Sequence, residues 1–267
     1  MNVYPMSFLN TSGYDEAEVV ILGIPLDKTT CFKPGTRFGP RRIRNMFFGL
    51  EDYSPMNERY YSSLKVYDMG DVVVNNLNST LDEAERIVEK IYRDGKKVIG
   101  LGGEHTITLP IVKAVSKFYD DLVVFHLDAH FDMADEYEGQ RISHACVMRR
   151  VTELGIDVIH YGIRSGDKEE WEIAKTLSFD ELRETLKGLD HVYVSLDIDV
   201  LDPAYAPGTG TPEPGGLSYK ELVEALRLPK NVVGFDIVEV SPPLDCNDIT
   251  SITAARILRD FSLYYFG

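Results

Sequence analysis

Two hydrophobic rhythms alternate along this chain. Short runs that are apolar at both parities, such as Val19-Val20-Ile21-Leu22-Gly23-Ile24, read as strands buried on both faces. Similar runs predict strands over Val66–Val74, Lys97–Leu101, Asp157–Ile163 and Asn231–Val238, and from Val123 and from His191. Between them the spacing shifts to that of helices. Ser79-Thr80-Leu81-Asp82-Glu83 predicts a capped helix start running to about Asp94, with Gly95 as its stop. Leu109, Val112, Val115 and Phe118 mark another helix, Val147, Val151 and Leu154 a third, and Lys168–Ala174 a short one. Capping boxes at Ser178 and Ser218 open two more, and a last helix is expected from about Asp248 to Phe261. Pro40 suits the first turn of a helix carrying Arg41, Ile43, Arg44 and Met46. Strand–helix alternation of this kind is the mark of an α/β fold with a parallel sheet and helices on both faces. No linker, low-complexity tract or fixed-period repeat interrupts it, so residues 1–267 read as one domain.

Composition narrows the function classes. Apolar residues make up 44% and charged residues 27% of 267, ordinary for a globular enzyme-sized chain. The net charge of -15 disfavours a nucleic-acid partner and suits cationic small molecules or metal ions. The basic cluster Arg37, Arg41, Arg42 and Arg44 is read as pairing with carboxylates in the fold or at a subunit contact. Cys31, Cys146 and Cys246 are too scattered for a disulfide framework or a zinc knuckle, and they receive no catalytic role. No signal peptide and no membrane-length apolar run is visible, so the expectation is a reducing cytoplasm and no membrane partner.

Several predicted strands end in residues that carry chemistry. In open α/β sheets, ligands bind beyond the carboxyl ends of the strands. Asp128, His130 and Asp132 alternate after the strand from Val123, so all three can face one point. Read alone, they fit either a metal site or an acidic strand end running into a polar loop. Asp197 and Asp199 repeat the device, Gly102-Gly103-Glu104-His105 closes another strand in a tight turn, and Glu239 ends the last one. Four aspartates and two histidines carry four negative charges, which two divalent cations would neutralise. Bridging carboxylates hold such pairs about 3.5–4 Å apart and make water a nucleophile at neutral pH. Oxygen-rich donors with some imidazole and no thiolate favour Mn²⁺, with Mg²⁺, Fe²⁺, Co²⁺ or Zn²⁺ as alternatives. His126 shares the parity of the row but lies deeper in the strand, and is read as a packing or supporting histidine. His160 and His191 are read as structural, without partners.

The motifs Gly102–His105, His126–Asp132 (HLDAHFD), Ser195–Asp199 (SLDID) and Pro207–Glu213 (PGTGTPE) resemble those of the ureohydrolase family of arginases and agmatinases. Gly35–Pro40 and Asp236–Pro243 match it in the same order, so the resemblance spans nearly the whole chain. It implies a three-layer α/β/α fold around an eight-stranded parallel sheet, with two Mn²⁺ per chain. It also implies hydrolysis of a guanidino compound to urea and an amine, and a homotrimer or homohexamer. By the family pattern His105 and Asp132 bind one metal, His130 and Asp199 the other, and Asp128 and Asp197 bridge. Glu239 pairs with the guanidinium, His144 carries protons to the leaving amine, and Thr211 lies on the substrate side. Asp128, His144 and Glu239 are thus the expected catalytic residues. The loop Met133–Ser143 differs from arginase-type loops: its Asp135, Glu136 and Glu138 form an acidic stretch, which suits a substrate with a positive far end such as agmatine, although Arg141 could reverse this. Other guanidines (aminopropylagmatine, arginine or guanidinobutyrate), an amide deacetylase of the same fold and a non-catalytic metal protein are the alternatives.

Overall fold

All six residues of Val19–Ile24 are buried, as are all of Leu122–Leu127 and Val232–Val238. Strands of this kind need a layer of helices on each side. In the computed structural model, residues 2–4, 9–30 and 32–267 are described, and Cys31 lies outside them. The strands are β1 (Val3–Tyr4), β2 (Val19–Ile24), β3 (Tyr53–Ser54), β4 (Arg59–Tyr60), β5 (Val66–Val72), β6 (Lys97–Gly102), β7 (Leu122–Leu127), β8 (Asp157–Tyr161), β9 (His191–Asp197) and β10 (Val232–Val238). The helices are α1 (Gly39–Phe47), α2 (Leu77–Arg93), α3 (Thr108–Val115), α4 (Val147–Glu153), α5 (Lys168–Ile173), α6 (Phe179–Leu186), α7 (Tyr219–Leu226) and α8 (Ile249–Phe266).

Eight strands form one sheet in the order β1-β5-β2-β6-β10-β9-β7-β8. Seven run parallel, and β1 closes one edge antiparallel to β5, with Val3 opposite Val72. Alternate residues of each strand feed separate cores. Val19, Ile21, Val192, Val194 and Leu196 pack with Ile43 of α1, Leu182 of α6, Leu222 of α7 and Leu258 of α8. Val20, Leu22, Ile24 and Val124 pack on the other side with Ile87 of α2, Ile111 of α3 and Val151 of α4. The result is the expected three-layer α/β/α arrangement. The strands β3 and β4 pair only with each other, outside the sheet.

Helix ends differ from the sequence reading at α2, α3 and α8, and α3 stops at Val115, short of Phe118. α2 begins at Leu77, because Asn76 rather than Ser79 caps it, accepting from the Ser79 N–H at 3.0 Å. α8 continues to Phe266 because Leu263, Tyr265 and Phe266 still pack on the core. The capping boxes at Ser178 and Ser218 form as expected, Glu181 and Glu221 accepting the Ser178 and Ser218 N–H groups at 2.9 and 2.8 Å. The arginine cluster mostly pairs inside the fold. Arg37 meets Asp27 at 2.8 Å, Arg42 meets Asp248, and fully buried Arg44 holds Asp68 at 2.8 Å and Asp71 at 2.6 Å.

Candidate metal centre and cavity

Four neighbouring strands, β6, β10, β9 and β7, deliver the candidate residues at their carboxyl ends, although they are far apart in sequence. His105 follows β6 through Gly102-Gly103. A side chain at Gly103 would sit 1.8 Å from the Leu26 carbonyl oxygen, so this tight turn requires glycine. Asp128, His130 and Asp132 follow β7, Asp197 ends β9 with Asp199 in the next turn, and Glu239 follows β10. Asp132 and Glu239 adopt left-handed backbone conformations, with φ of 54° and 63°. Side chains other than glycine rarely pay this cost, which concentrates at functional sites.

The side chains converge on His105. Its Nδ1 lies 3.0 Å from Asp128 Oδ2, 3.1 Å from Asp132 Oδ2 and 3.3 Å from Asp197 Oδ2. None of these contacts has hydrogen-bond geometry, so a fully buried polar nitrogen faces three carboxylate oxygens without a hydrogen bond. Its other nitrogen, Nε2, donates to Ser195 Oγ at 2.9 Å, and Ser195 Oγ donates to Asp236 Oδ1 at 2.9 Å. In the neutral ring this leaves the Nδ1 lone pair aimed at the oxygens, an arrangement that a cation between them would satisfy. On the other side of Asp128, His130 Nδ1 stands 3.3 Å from Asp128 Oδ1 and 3.1 Å from Asp199 Oδ2. Asp128 therefore belongs to both of two donor groups able to hold a metal ion. One contains His105, His126 and Asp132, the other His130 and Asp199.

His126 satisfies the distances but has no nitrogen to spare. Its Nε2 contacts Asp128 Oδ2 at 2.9 Å and its Nδ1 contacts His160 Nδ1 at 2.9 Å. His160 and His191, both expected to lack partners, each have one, His191 Nδ1 meeting Asp121 at 2.6 Å. Backbone N–H groups aim the remaining carboxylates: that of His130 donates to Asp128 at 2.6 Å, that of Asp199 to Asp197 at 2.8 Å, and that of Ala129 to Asp199 at 3.0 Å.

Metal-free, this cluster is electrostatically loaded. Burial pushes the Asp197 carboxyl well above its ordinary range, helped by the charges of Asp199 and Asp128. Burial and Asp128 raise Asp199 likewise. Against the opposing pull of burial, Asp199 and Asp128 push the His130 ring up to about 12. The site takes up protons where positive charge is missing, and divalent cations are the natural competitor for the same oxygens. Of the six expected donors, all but Asp197 fall in the two donor groups, and Asp197 stands 3.3 Å from His105 Nδ1 beside them.

A cavity of about 320 Å³ opens beside the cluster, lined by His105, His130, Asp132 and Asp197. His144, Thr211 and Glu239, the three residues expected on the substrate side, line it too. Glu239 is buried and accepts the His105 N–H at 2.7 Å. Burial raises its carboxyl well above the usual range, and that N–H opposes the shift. Thr29 holds His144. Its hydroxyl donates to buried Glu104 at 2.7 Å, leaving lone pairs toward the His144 N–H at 3.1 Å and ring Nδ1 at 3.3 Å. This favours the tautomer protonated at Nδ1.

The acidic loop behaves differently from the sequence expectation. Asp135 is tied to Arg150 at 2.8 Å and Arg141 at 3.2 Å, and Arg141 also reaches Glu153. Glu136 and Glu138 are exposed and do not line the cavity; from this loop Ala134 and Tyr137 do. The negative lining beyond Asp132, Asp197 and Glu239 comes instead from Asp167 and Glu170, at the start of α5. The Glu170 oxygens accept the N–H groups of Met133 and Asp167 at 2.9 and 3.0 Å, joining the two segments. The Asp-x-x-Glu pattern marks a helix start in the sequence, but nothing in it says that this helix abuts the cavity.

Paired aspartate–histidine donors at the carboxyl edge of a single, mostly parallel sheet define a class, and comparison with known proteins agrees with it. The arginase family model matches residues 17–263, and the chain belongs to the arginase family, as an enzyme of the ureohydrolase type. It is 44% identical to an agmatinase of Bacillus anthracis, covering 94% of this chain and 92% of that protein. It is 40% identical to the N(1)-aminopropylagmatine ureohydrolase of Thermococcus kodakarensis, covering 91% and 89%. The crystal structure of the agmatine ureohydrolase of Thermoplasma volcanium superposes with a TM-score of 0.90 at 34% identity, covering 97% and 94%.

Proposed function

We propose that this protein is a manganese-dependent ureohydrolase that cleaves agmatine to urea and putrescine. The charge of the cavity carries the choice of substrate. Among the described residues, five carboxylates line it (Asp132, Asp167, Glu170, Asp197 and Glu239) and no lysine or arginine does. Such a wall suits a guanidine whose far end is an ammonium and opposes one ending in a carboxylate.

His105 and Asp132 would hold one ion, His130 and Asp199 the other, with Asp128 and Asp197 bridging. Two manganese ions bound there supply Lewis-acid polarisation and a water-derived nucleophile near neutral pH. Glu239 accepts guanidinium N–H groups in the fork geometry that a carboxylate offers, fixing the carbon beside the donor cluster. The reaction adds one water across the bond between the guanidinium carbon and the alkyl nitrogen; urea keeps the carbon and the amine leaves with a proton. His144, oriented by Thr29, delivers that proton. Thr211 contributes to the substrate wall, and Asp167 at the rim meets the distal ammonium. A single cytoplasmic domain over 1–267, assembled as a homo-oligomer, completes the reading.

Aminopropylagmatine is the second substrate to consider, because the Thermococcus kodakarensis relative named for it is nearly as similar as the Bacillus anthracis agmatinase. Incubating manganese-loaded protein with agmatine, aminopropylagmatine, arginine and guanidinobutyrate, and quantifying urea and amine, tests the proposal. Equimolar urea and putrescine from agmatine are expected. Faster release from arginine would overturn the substrate assignment.

A further inference from the structure

Parallel pairing of β7 with β8 places His126 directly beside His160. Both rings are buried, and their Nδ1 atoms stand 2.9 Å apart. Only one proton can lie between those two nitrogens. The other end of the pair decides which ring owns it. A carboxylate oxygen only accepts, so His126 must present Nε2–H to Asp128 Oδ2, 2.9 Å away. In a neutral His126 the Nδ1 then carries a lone pair, and the donor facing it is Nδ1–H of His160. The His160 ring is held for this task. Phe131 packs edge-on against it at 5.3 Å, Trp171 packs edge-on against Phe131 at 4.7 Å, and the His160 carbonyl accepts from Leu177 N at 3.1 Å.

We infer that His160 is a positioning residue for the metal centre: its Nδ1–H holds the ring of His126, whose Nε2–H in turn orients the carboxylate shared by both metal groups. Without the His160 donor, the buried Nδ1 lone pair of His126 has no partner and the ring loses the contact that fixes its angle. Its Nε2–H then leaves the line to Asp128 Oδ2, and the carboxylate loses its orientation. Outer-shell partners of this kind are worth roughly 10–100-fold in metal affinity. The inference rests on the metal reading above.

The test is titration of Mn²⁺ into the metal-free full-length protein, read by calorimetry and not by turnover. His160→Phe, which keeps the packing and removes the donor, should raise the dissociation constant roughly 10–100-fold. His160→Asn places an amide N–H near the position of Nδ1 and should stay within about threefold of wild type. In a His126→Phe background, His160→Phe should add nothing, because its effect passes through His126. A His160→Phe protein that binds Mn²⁺ like wild type would overturn the inference. So would His160→Asn binding as weakly as the Phe variant, or a further loss from His160→Phe in the His126→Phe background. Wild-type protein that takes up no divalent cation would instead bring down the metal reading itself, a distinguishable result.

Discussion

Asp197→Asn separates the proposed metal site from the fold. Asp197 is buried, with Oδ1 accepting the Asp199 N–H at 2.8 Å and Oδ2 lying 3.3 Å from His105 Nδ1. Asp128 Oδ2 lies 3.0 Å from that same nitrogen. Oxygens 3.0 and 3.3 Å from one nitrogen are no more than 6.3 Å apart, and at an effective dielectric near 20 unit charges at that distance repel by roughly 2.6 kcal/mol. Burial first, then the charge of Asp199 and this repulsion from Asp128, hold the Asp197 carboxyl well above its ordinary range. Asparagine is close to isosteric with the protonated acid. Metal-free Asp197→Asn should therefore keep wild-type stability to within about 1 kcal/mol. Metal binding changes the comparison. At a free Mn²⁺ concentration about 100 times its dissociation constant, the wild type gains about 2.7 kcal/mol. For a chain of this size that is a rise in Tm of roughly 5–11 °C. If losing one charged ligand weakens binding about 100-fold, the variant at the same concentration gains only about 0.4 kcal/mol, roughly 1–2 °C. Differential scanning calorimetry with and without MnCl₂, against a chelator control, reads both numbers. A variant that melts several degrees lower without metal, or that gains the full Mn²⁺ shift, would refute the reasoning.

Glu239→Gln should lower kcat/KM for the guanidine about 100-fold, the loss of a hydrogen bond to a charged group, with Mn²⁺ affinity within about threefold of wild type; steady-state kinetics and calorimetry check the two halves. Asp167→Asn at the exposed rim should raise KM for agmatine only about threefold to fivefold, as exposed pairs are weak, and should not slow a guanidine that lacks a distal charge. Arg44→Leu leaves two buried carboxylates, Asp68 and Asp71, without their partner. A destabilisation of about 3–5 kcal/mol is expected by urea unfolding, at residues that do not line the cavity.

Where the sequence was legible, the reason is local. Buried strands declare themselves by apolar residues at both parities, and seven of the eight sheet strands were visible this way. β1 was not, because two residues at an antiparallel edge carry no periodic signal. The donor residues were readable because strand ends collect on one edge whatever the strand order, so alternation in Asp128-x-His130-x-Asp132 was enough. What the chain brings near that edge from elsewhere was harder. The acids of the Met133–Ser143 loop look like a substrate rim in one dimension, yet Arg150 of α4 captures Asp135. Asp167 and Glu170, which do line the cavity, sit in an ordinary helix-start pattern. The partner of His160 is likewise a matter of register between β7 and β8. In each case a contact across the sheet or between loops decides the role, and spacing along the chain does not encode it.

On the proposed function, an acidic cavity beside the metal cluster selects a guanidine with a cationic tail. Agmatine and 4-guanidinobutyrate share the guanidino end and carry opposite charges at the other. An equimolar mixture of the two, incubated with manganese-loaded protein and followed by mass spectrometry, is the most direct measurement. Agmatine should disappear first, with urea and putrescine appearing in equal amounts while guanidinobutyrate persists. Preferential loss of guanidinobutyrate, or no urea at all, would contradict the account.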